Sequence, residues 1–261
     1  MYKNIEKTAV ITGATSGIGR ELAQRFAADG YSLFLTARNE AALKGLCEHF
    51  SDRYPNAEFE YAAADLSRRS DIESFCEIIS QMKIDVLVNN AGFGMTGEFA
   101  VCDKEQLDGM LTLNMLALTH ITRAVLPGMK QRRSGRILNV ASVAAFMPNP
   151  YGAVYAATKA YVKSFSEAIS EELKGSGVKV TILCPGPTKT GFGARSEMDR
   201  SLIFSKGVMS ADKVADLGYA ALQKGKRTVV TGAHNKAIVT AAKLMPMGVV
   251  LAVAALMLKH D

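Results

Sequence analysis

The chain has 261 residues, 48% of them hydrophobic and 21% charged, a composition suited to one large α/β domain and short for two. Its net charge of +6 comes from scattered basic residues, Lys130-Gln-Arg-Arg133 being the densest run, which argues against a nucleic-acid surface and is equally met by a phosphorylated ligand. Cys47, Cys76, Cys102 and Cys184 show no paired spacing, and His49, His120, His234 and His260 lie far apart, so neither a disulfide framework nor a metal motif is expected.

The unpatterned cysteines fit reduced thiols in a cytoplasmic setting, and the first strand, Thr8-Ala-Val-Ile-Thr12, is reached within a few residues, so no signal peptide is expected. It runs into Gly13-Ala-Thr-Ser-Gly17-Ile-Gly19 and then a segment of helical period, residues 20–27. A strand, a glycine-rich turn and a helix N-terminus make an anion site, because the backbone can approach a pyrophosphate and unpaired N–H groups point at it. Gly13, Thr15, Ser16, Gly17, Ile18 and Gly19 are the candidate contacts; a tight turn without a ligand is the alternative. The second strand, Ser32-Leu-Phe-Leu-Thr36, ends at Arg38, about 20 residues on, where a dinucleotide fold meets the adenosine ribose. Arg38 offers a fork suited to a 2′-phosphate, where an acid would repel one; it could also be a solvated loop arginine.

Further βα units follow at regular spacing. Residues 56–64 read as a strand ending at Asp65 and Leu66, where the carboxylate could accept from an adenine amine. Ile84-Asp-Val-Leu-Val88 leads into Asn89-Asn90-Ala91-Gly92, whose small residues leave room for a flat group against the backbone. Asn114 sits in an apolar stretch of a helix expected over residues 104–129; a buried asparagine needs partners, and structural satisfaction competes with a functional role.

Arg136-Ile-Leu-Asn-Val-Ala141 reads as a buried strand with Ser142 at its carboxyl end. After Met147-Pro-Asn-Pro150 a long helix runs to the glycine stop at Gly175-Ser-Gly177. Tyr155 and Lys159, four apart, share one face of it. A free tyrosine has a pKa of about 10, and an ammonium about 4 Å away supplies roughly the 4 kcal/mol needed to bring it near neutrality. The pair can therefore be a general acid/base, or, taken alone, a core aromatic and a solvated lysine. Val178-Lys-Val-Thr-Ile-Leu-Cys184 is the sixth strand, closed by Pro185, Gly186, Thr188 and Thr190. Residues 188–210, with Phe192, Met198, Ile203, Phe204 and Met209, read as a substrate flap. A helix over 211–224 and a strand over 227–231 complete the pattern, an α/β doubly wound parallel sheet of about seven strands with helices on both faces. Within the apolar C-terminal segment, residues 240–261, the uncharged run 244–258 is too short to span a membrane and leaves burial, a substrate cover or peripheral membrane contact open.

Thr12-Gly-Ala-Thr-Ser-Gly-Ile-Gly19, Asn89-Asn-Ala-Gly92, Asn114, Ser142, Tyr155-x-x-x-Lys159 and Pro185-Gly186 occur in this order, and with them the chain resembles the short-chain dehydrogenases/reductases over roughly residues 5–231. The resemblance implies a single Rossmann-type domain over residues 1–261 and reversible carbonyl–alcohol hydride transfer, assembled as a homo-dimer or homo-tetramer. Tyr155 would be the acid/base and Ser142 would hold the substrate oxygen. Lys159 would bind the nicotinamide ribose and tune Tyr155, and Asn114 would order a water relay. With Arg38, the expected cofactor is NADP(H), held also by Asp65, Leu66, Asn90, Ala91, Gly92, Pro185, Gly186, Thr188 and Thr190. The expected substrate is a lipophilic ketone or aldehyde, acyl or steroid-like. The competing class is a dinucleotide-sensing regulator without turnover, which need not keep tyrosine, lysine, serine and asparagine together. A sugar-nucleotide epimerase would need a larger substrate domain and an acid after the second strand.

Overall fold

The computed structural model describes residues 7–191 and 208–258, with the backbone alone for 257 and 258. Seven parallel strands form one sheet in the order β3-β2-β1-β4-β5-β6-β9: β1 (Thr8–Thr12), β2 (Ser32–Ala37), β3 (Phe59–Ala63), β4 (Val86–Asn89), β5 (Gly135–Val140), β6 (Val178–Cys184) and β9 (Thr228–Val230). The chain winds outward from β1 through β2 to β3, then returns to β1's other side for β4. The order therefore reverses at β1, whose Ile11 pairs with Leu35 on one side and Val88 on the other. Such a switch point opens a crevice beyond the carboxyl ends of the strands.

The central strands are buried on both faces, which explains their aliphatic runs without alternation. On one face α1 (Gly17–Ala28), α2 (Glu40–Arg53) and α7 (Ala211–Gln223) pack Leu22, Phe26, Leu43, Phe50 and Val214 against the sheet. On the other, α3 (Arg69–Ser80), α5 (Leu118–Gln131) and α6 (Ala153–Glu172) supply Ile72, Phe75, Ile121, Met129 and Ile169.

Three departures from the sequence reading matter for the site. The helix expected over residues 104–129 is α4 (Lys104–Leu111) and α5 joined by a π-helical turn at Thr112–Ala117, which carries Asn114. The apolar C-terminal run is broken at Pro246 into the end of α8 (Ala233–Leu244), a helix the pattern did not announce, and α9 (Met247–Leu258). The flap's two ends are tied together, β7 (Thr188–Lys189) pairing in parallel with β8 (Met209–Ser210). Its apolar residues Phe192, Met198, Ile203 and Phe204 lie outside the described residues.

Candidate active site

A cavity of about 1410 Å³ runs along the carboxyl edge of the sheet, from the glycine turn after β1 to α8 and α9. At one end Gly13 (φ 67°) and Gly17 (φ 53°) hold left-handed conformations that favour glycine. The Gly13 N–H donates to the Thr36 carbonyl at 2.8 Å, fixing the turn to β2. The Thr12 hydroxyl accepts from the Asn90 and Ala91 amides, both at 3.0 Å, fixing the end of β4 beside it. Asn39 and Asp103 cap α2 and α4 with side-chain oxygens, whereas Ser16 makes no such bond to α1, whose first turn holds no acid. The N–H groups at this end of α1 are thus left to an outside anion, which fits the pyrophosphate of a dinucleotide.

Gly13, Thr15, Ser16, Gly17, Ile18, Arg38, Asp65, Leu66, Asn90, Ala91, Gly92, Tyr155, Lys159, Pro185, Gly186, Thr188 and Thr190 all line the cavity. Gly19 does not. A Cβ there would overlap the Gly13 carbonyl oxygen and the Asn90 amide, so its small size serves close packing of α1 on β1 and β4. Arg38 is exposed at the end of β2, with no ion pair among the described residues. Asp65 Oδ1 accepts from the Ser67 amide at 3.1 Å and hydroxyl at 2.7 Å. Burial pushes the Asp65 carboxyl up, but these bonds and the charges of Arg38 and Arg68 outweigh it and hold it below the usual range.

Ser142, Tyr155 and Lys159 line the same cavity. Ser142 follows β5 directly, and its hydroxyl accepts from the Ala144 amide at 3.1 Å and hydrogen-bonds the Tyr155 phenol. Tyr155 and Lys159 lie on the inward face of α6, both buried, with Lys159 Nζ donating to the Val140 carbonyl at 3.0 Å and 5.9 Å from the centre of the Tyr155 ring. The expected lowering of the tyrosine needs correction here. Burial dominates: it pushes the Tyr155 phenol up to about 12, opposed by the Ser142 bond, and the Lys159 ammonium down to about 8. The protein by itself holds Tyr155 as a protonated acid beside a lysine that remains mostly charged at pH 7.

Asn114 stands behind this group, outside the cavity lining. Its amide donates to the Phe93 carbonyl at 2.9 Å and to the Thr158 hydroxyl at 3.0 Å, and its oxygen accepts from the Phe93 amide at 3.2 Å. Both N–H donors are committed, so any contact with a water passes through an oxygen. Sequence reasoning missed Asn235, buried at the start of α8, whose amide donates to the Thr231 carbonyl at 2.7 Å and packs on Gly186. Nor did it find Ile238 of α8, which lines the cavity beside Ala241, Ala242, Met245, Val250, Val253 and Ala254 of the expected apolar segment.

The sequence model of the short chain dehydrogenase family matches residues 7–201. An uncharacterized oxidoreductase of Staphylococcus epidermidis is 34% identical over 207 residues, 76% of this chain and 88% of its own. A very-long-chain 3-oxoacyl-CoA reductase of Aspergillus terreus is 33% identical over 179 residues, 67% of this chain; the match spans 51% of that protein's length. Among solved structures, a short-chain dehydrogenase from Sphingobium yanoikuyae in complex with NADPH superposes with a TM-score of 0.82 at 31% identity, covering 94% of this chain and 95% of the other.

Proposed function

Because the chain belongs to the short-chain dehydrogenase family, we propose that it interconverts a lipophilic ketone or aldehyde and its alcohol by hydride transfer, using NADP(H). Family members are oxidoreductases that use NAD(H) or NADP(H). The observation that carries the reading is the convergence of Ser142, Tyr155 and Lys159 on one cavity whose far end is the anion-binding turn. A bound nicotinamide dinucleotide supplies or takes the hydride; the chain's own groups handle the oxygen and the proton. The Ser142 hydroxyl holds the substrate oxygen by donating to it, and Tyr155 gives that oxygen its proton. The phenolate left behind is stabilised by the Lys159 charge. Asn114, through its bonds to Phe93 and Thr158, positions the strand-end backbone at Gly92 and α6 relative to each other. Kept protonated by burial, Tyr155 is at neutral pH in the form that gives a proton to a carbonyl oxygen.

Arg38 supports the 2′-phosphate form of the cofactor, because no acid stands at the end of β2 and Glu40 already opens α2. A charge-assisted bond to that phosphate contributes about 1.5–3 kcal/mol, a preference of about ten- to hundredfold. Comparing kcat/KM for NADPH and NADH tests this. Equal values would refute it, and Arg38→Asp is expected to reverse the order.

The substrate end of the cavity is walled by Leu113, Val143, Met147, Ile238, Met245 and Val250, which supports a lipophilic substrate. The Aspergillus relative, whose name gives it a long acyl chain to act on, supports the same class. Truncation after Ala242 removes Met245, Val250, Val253 and Ala254 from this wall. It is expected to raise KM for a long-chain or steroidal ketone by about tenfold or more, from roughly 1.5–3 kcal/mol per buried aliphatic side chain lost. KM for a small aldehyde should stay within about threefold. Loss of both in step would assign the segment to structure. Enzymes of this family are typically oligomeric, which supports a homo-dimer or homo-tetramer.

A further inference from the structure

The helix α9, Met247-Gly-Val-Val-Leu-Ala-Val-Ala-Ala-Leu-Met-Leu258, contains no polar side chain on any face. Val250 and Ala254, four apart, turn inward and line the cavity. The remaining faces are open: Leu244 is 80%, Met247 55% and Leu256 73% exposed, with Val249 and Leu251 exposed beside them, while Met245 and Val253 stand at the rim, exposed and lining the cavity. A contiguous set of large aliphatic side chains on one exposed helix calls for an apolar medium. Which medium is decided by charge. From Leu217 to His260 the sequence carries Lys224, Lys226, Arg227, Lys236, Lys243 and Lys259 and no aspartate or glutamate.

Two of these lysines belong to the helix that leads into α9. Lys236 and Lys243 are both exposed and, seven apart on α8, lie on one side of it. Lys243 Nζ sits 5.1 Å from the centre of the Phe146 ring, next to Met147 of the cavity wall, so this charge stands beside the cavity. The other groups at Phe146 are Lys163, 5.2 Å from the same ring, and Glu167, which is already paired with Lys163 at 2.8 Å. A second copy docking face to face would set these lysines against their own images, whereas a layer of anionic headgroups supplies the opposite charge. A twelve-residue helix is about 18 Å long, well short of the roughly 30 Å hydrocarbon layer, and among the described residues no helix is long and apolar enough to cross a membrane.

We propose that α9 lies in the plane of an anionic lipid interface, its outer face among the acyl chains and Lys236 and Lys243 against the headgroups. The inner face of the same helix walls the cavity, so a lipophilic substrate would pass from the bilayer to Tyr155 without crossing bulk water. This last step rests on the lipophilic reading above; the membrane contact itself does not.

The test is flotation of the full chain, without substrate, on phosphatidylcholine vesicles and on vesicles with about 30% phosphatidylglycerol. The wild type should float with the anionic vesicles. Met247→Glu/Leu256→Glu should lose that binding while keeping NADPH oxidation with a small, water-soluble ketone. Lys236→Gln/Lys243→Gln should weaken binding by about thirtyfold, from the contribution of two lysines near an anionic surface. Should the glutamate variant fail to fold, Leu256→Cys carrying an environment-sensitive fluorophore should shift to the blue on anionic vesicles, read against identically labelled wild type. No flotation of the wild type, or an unchanged spectrum, overturns the proposal. So does light scattering in which the glutamate variant turns an oligomer into a smaller species, since the face then belongs to a second copy. Vesicle binding without preference for lipophilic substrates would remove only the substrate reading.

Discussion

Tyr155→Phe is expected to lower kcat by at least about 10²-fold, the low end for a positioned acid or base, with dinucleotide affinity nearly unchanged. The substitution keeps the ring that packs against Met110, Ala144 and Ala156 and removes only the hydroxyl. Ser142 retains its bond from the Ala144 amide, so the site is not left with a new unsatisfied group on that side. The turn at Gly13 and Gly17, at the other end of the cavity, is untouched. Single-turnover NADPH oxidation separates the proton step from binding, and fluorescence titration gives the affinity. Turnover near normal would take the proton-donor role away from Tyr155; a parallel loss of affinity would make the tyrosine a binding residue.

Why so much of this site could be read beforehand, and some of it could not, follows from sequence distance. Ser142 ends a strand, Tyr155 and Lys159 share a helical face, and the glycine turn joins one strand to one helix; each is a local pattern with a definite geometry. Asn235 reaches Gly186 across the mouth of the fold, a contact made by packing that leaves no mark in either neighbourhood. The π turn at Thr112–Ala117 changes hydrogen bonding without changing the apolar period, so residues 104–129 read as one helix. The strand expected from Ile84 is β4 (Val86–Asn89), and the Asp85 backbone just before it already bonds to Thr8 and Arg136 on either side, both at 2.9 Å. The direction of the Tyr155 shift was missed for a related reason: the spacing reveals the ammonium, whereas burial is a property of the finished cavity.

That burial has a consequence for stability that a purely structural lysine would not show. Lys159→Met is expected to stabilise the protein at pH 7 while lowering kcat by about 10²-fold. The ammonium is pushed from 10.5 down to about 8 by burial, and that gap corresponds to about 3 kcal/mol of strain against the charged form. Between pH 8 and 10.5 the unfolded chain holds a proton on this lysine that the native state has released, so the contribution of Lys159 to wild-type stability rises with pH across this window. Below about pH 8 the penalty is present in full, and methionine, which keeps the apolar stem, removes it. The Val140 carbonyl loses its Lys159 donor, which returns about 1 kcal/mol, so a net gain of about 2 kcal/mol at pH 7 is expected. The buried thiols of Cys47, Cys76 and Cys184, pushed up to about 11, 11 and 12, and the Tyr155 phenol act with the opposite sign as pH rises, but equally in both proteins, so it is the difference between wild-type and variant urea midpoints at pH 7.5 and 9.5 that isolates the lysine. The variant's advantage over the wild type should shrink between these two values. The cost appears in turnover: a charge 5.9 Å from the phenol ring is worth about 3 kcal/mol at an effective dielectric of about 20, or about 10²-fold in rate. A variant that is less stable at pH 7, or one that turns over normally, would make Lys159 a packing residue. A more stable and slower one identifies a charge held in the core for its chemistry, at the expense of the fold.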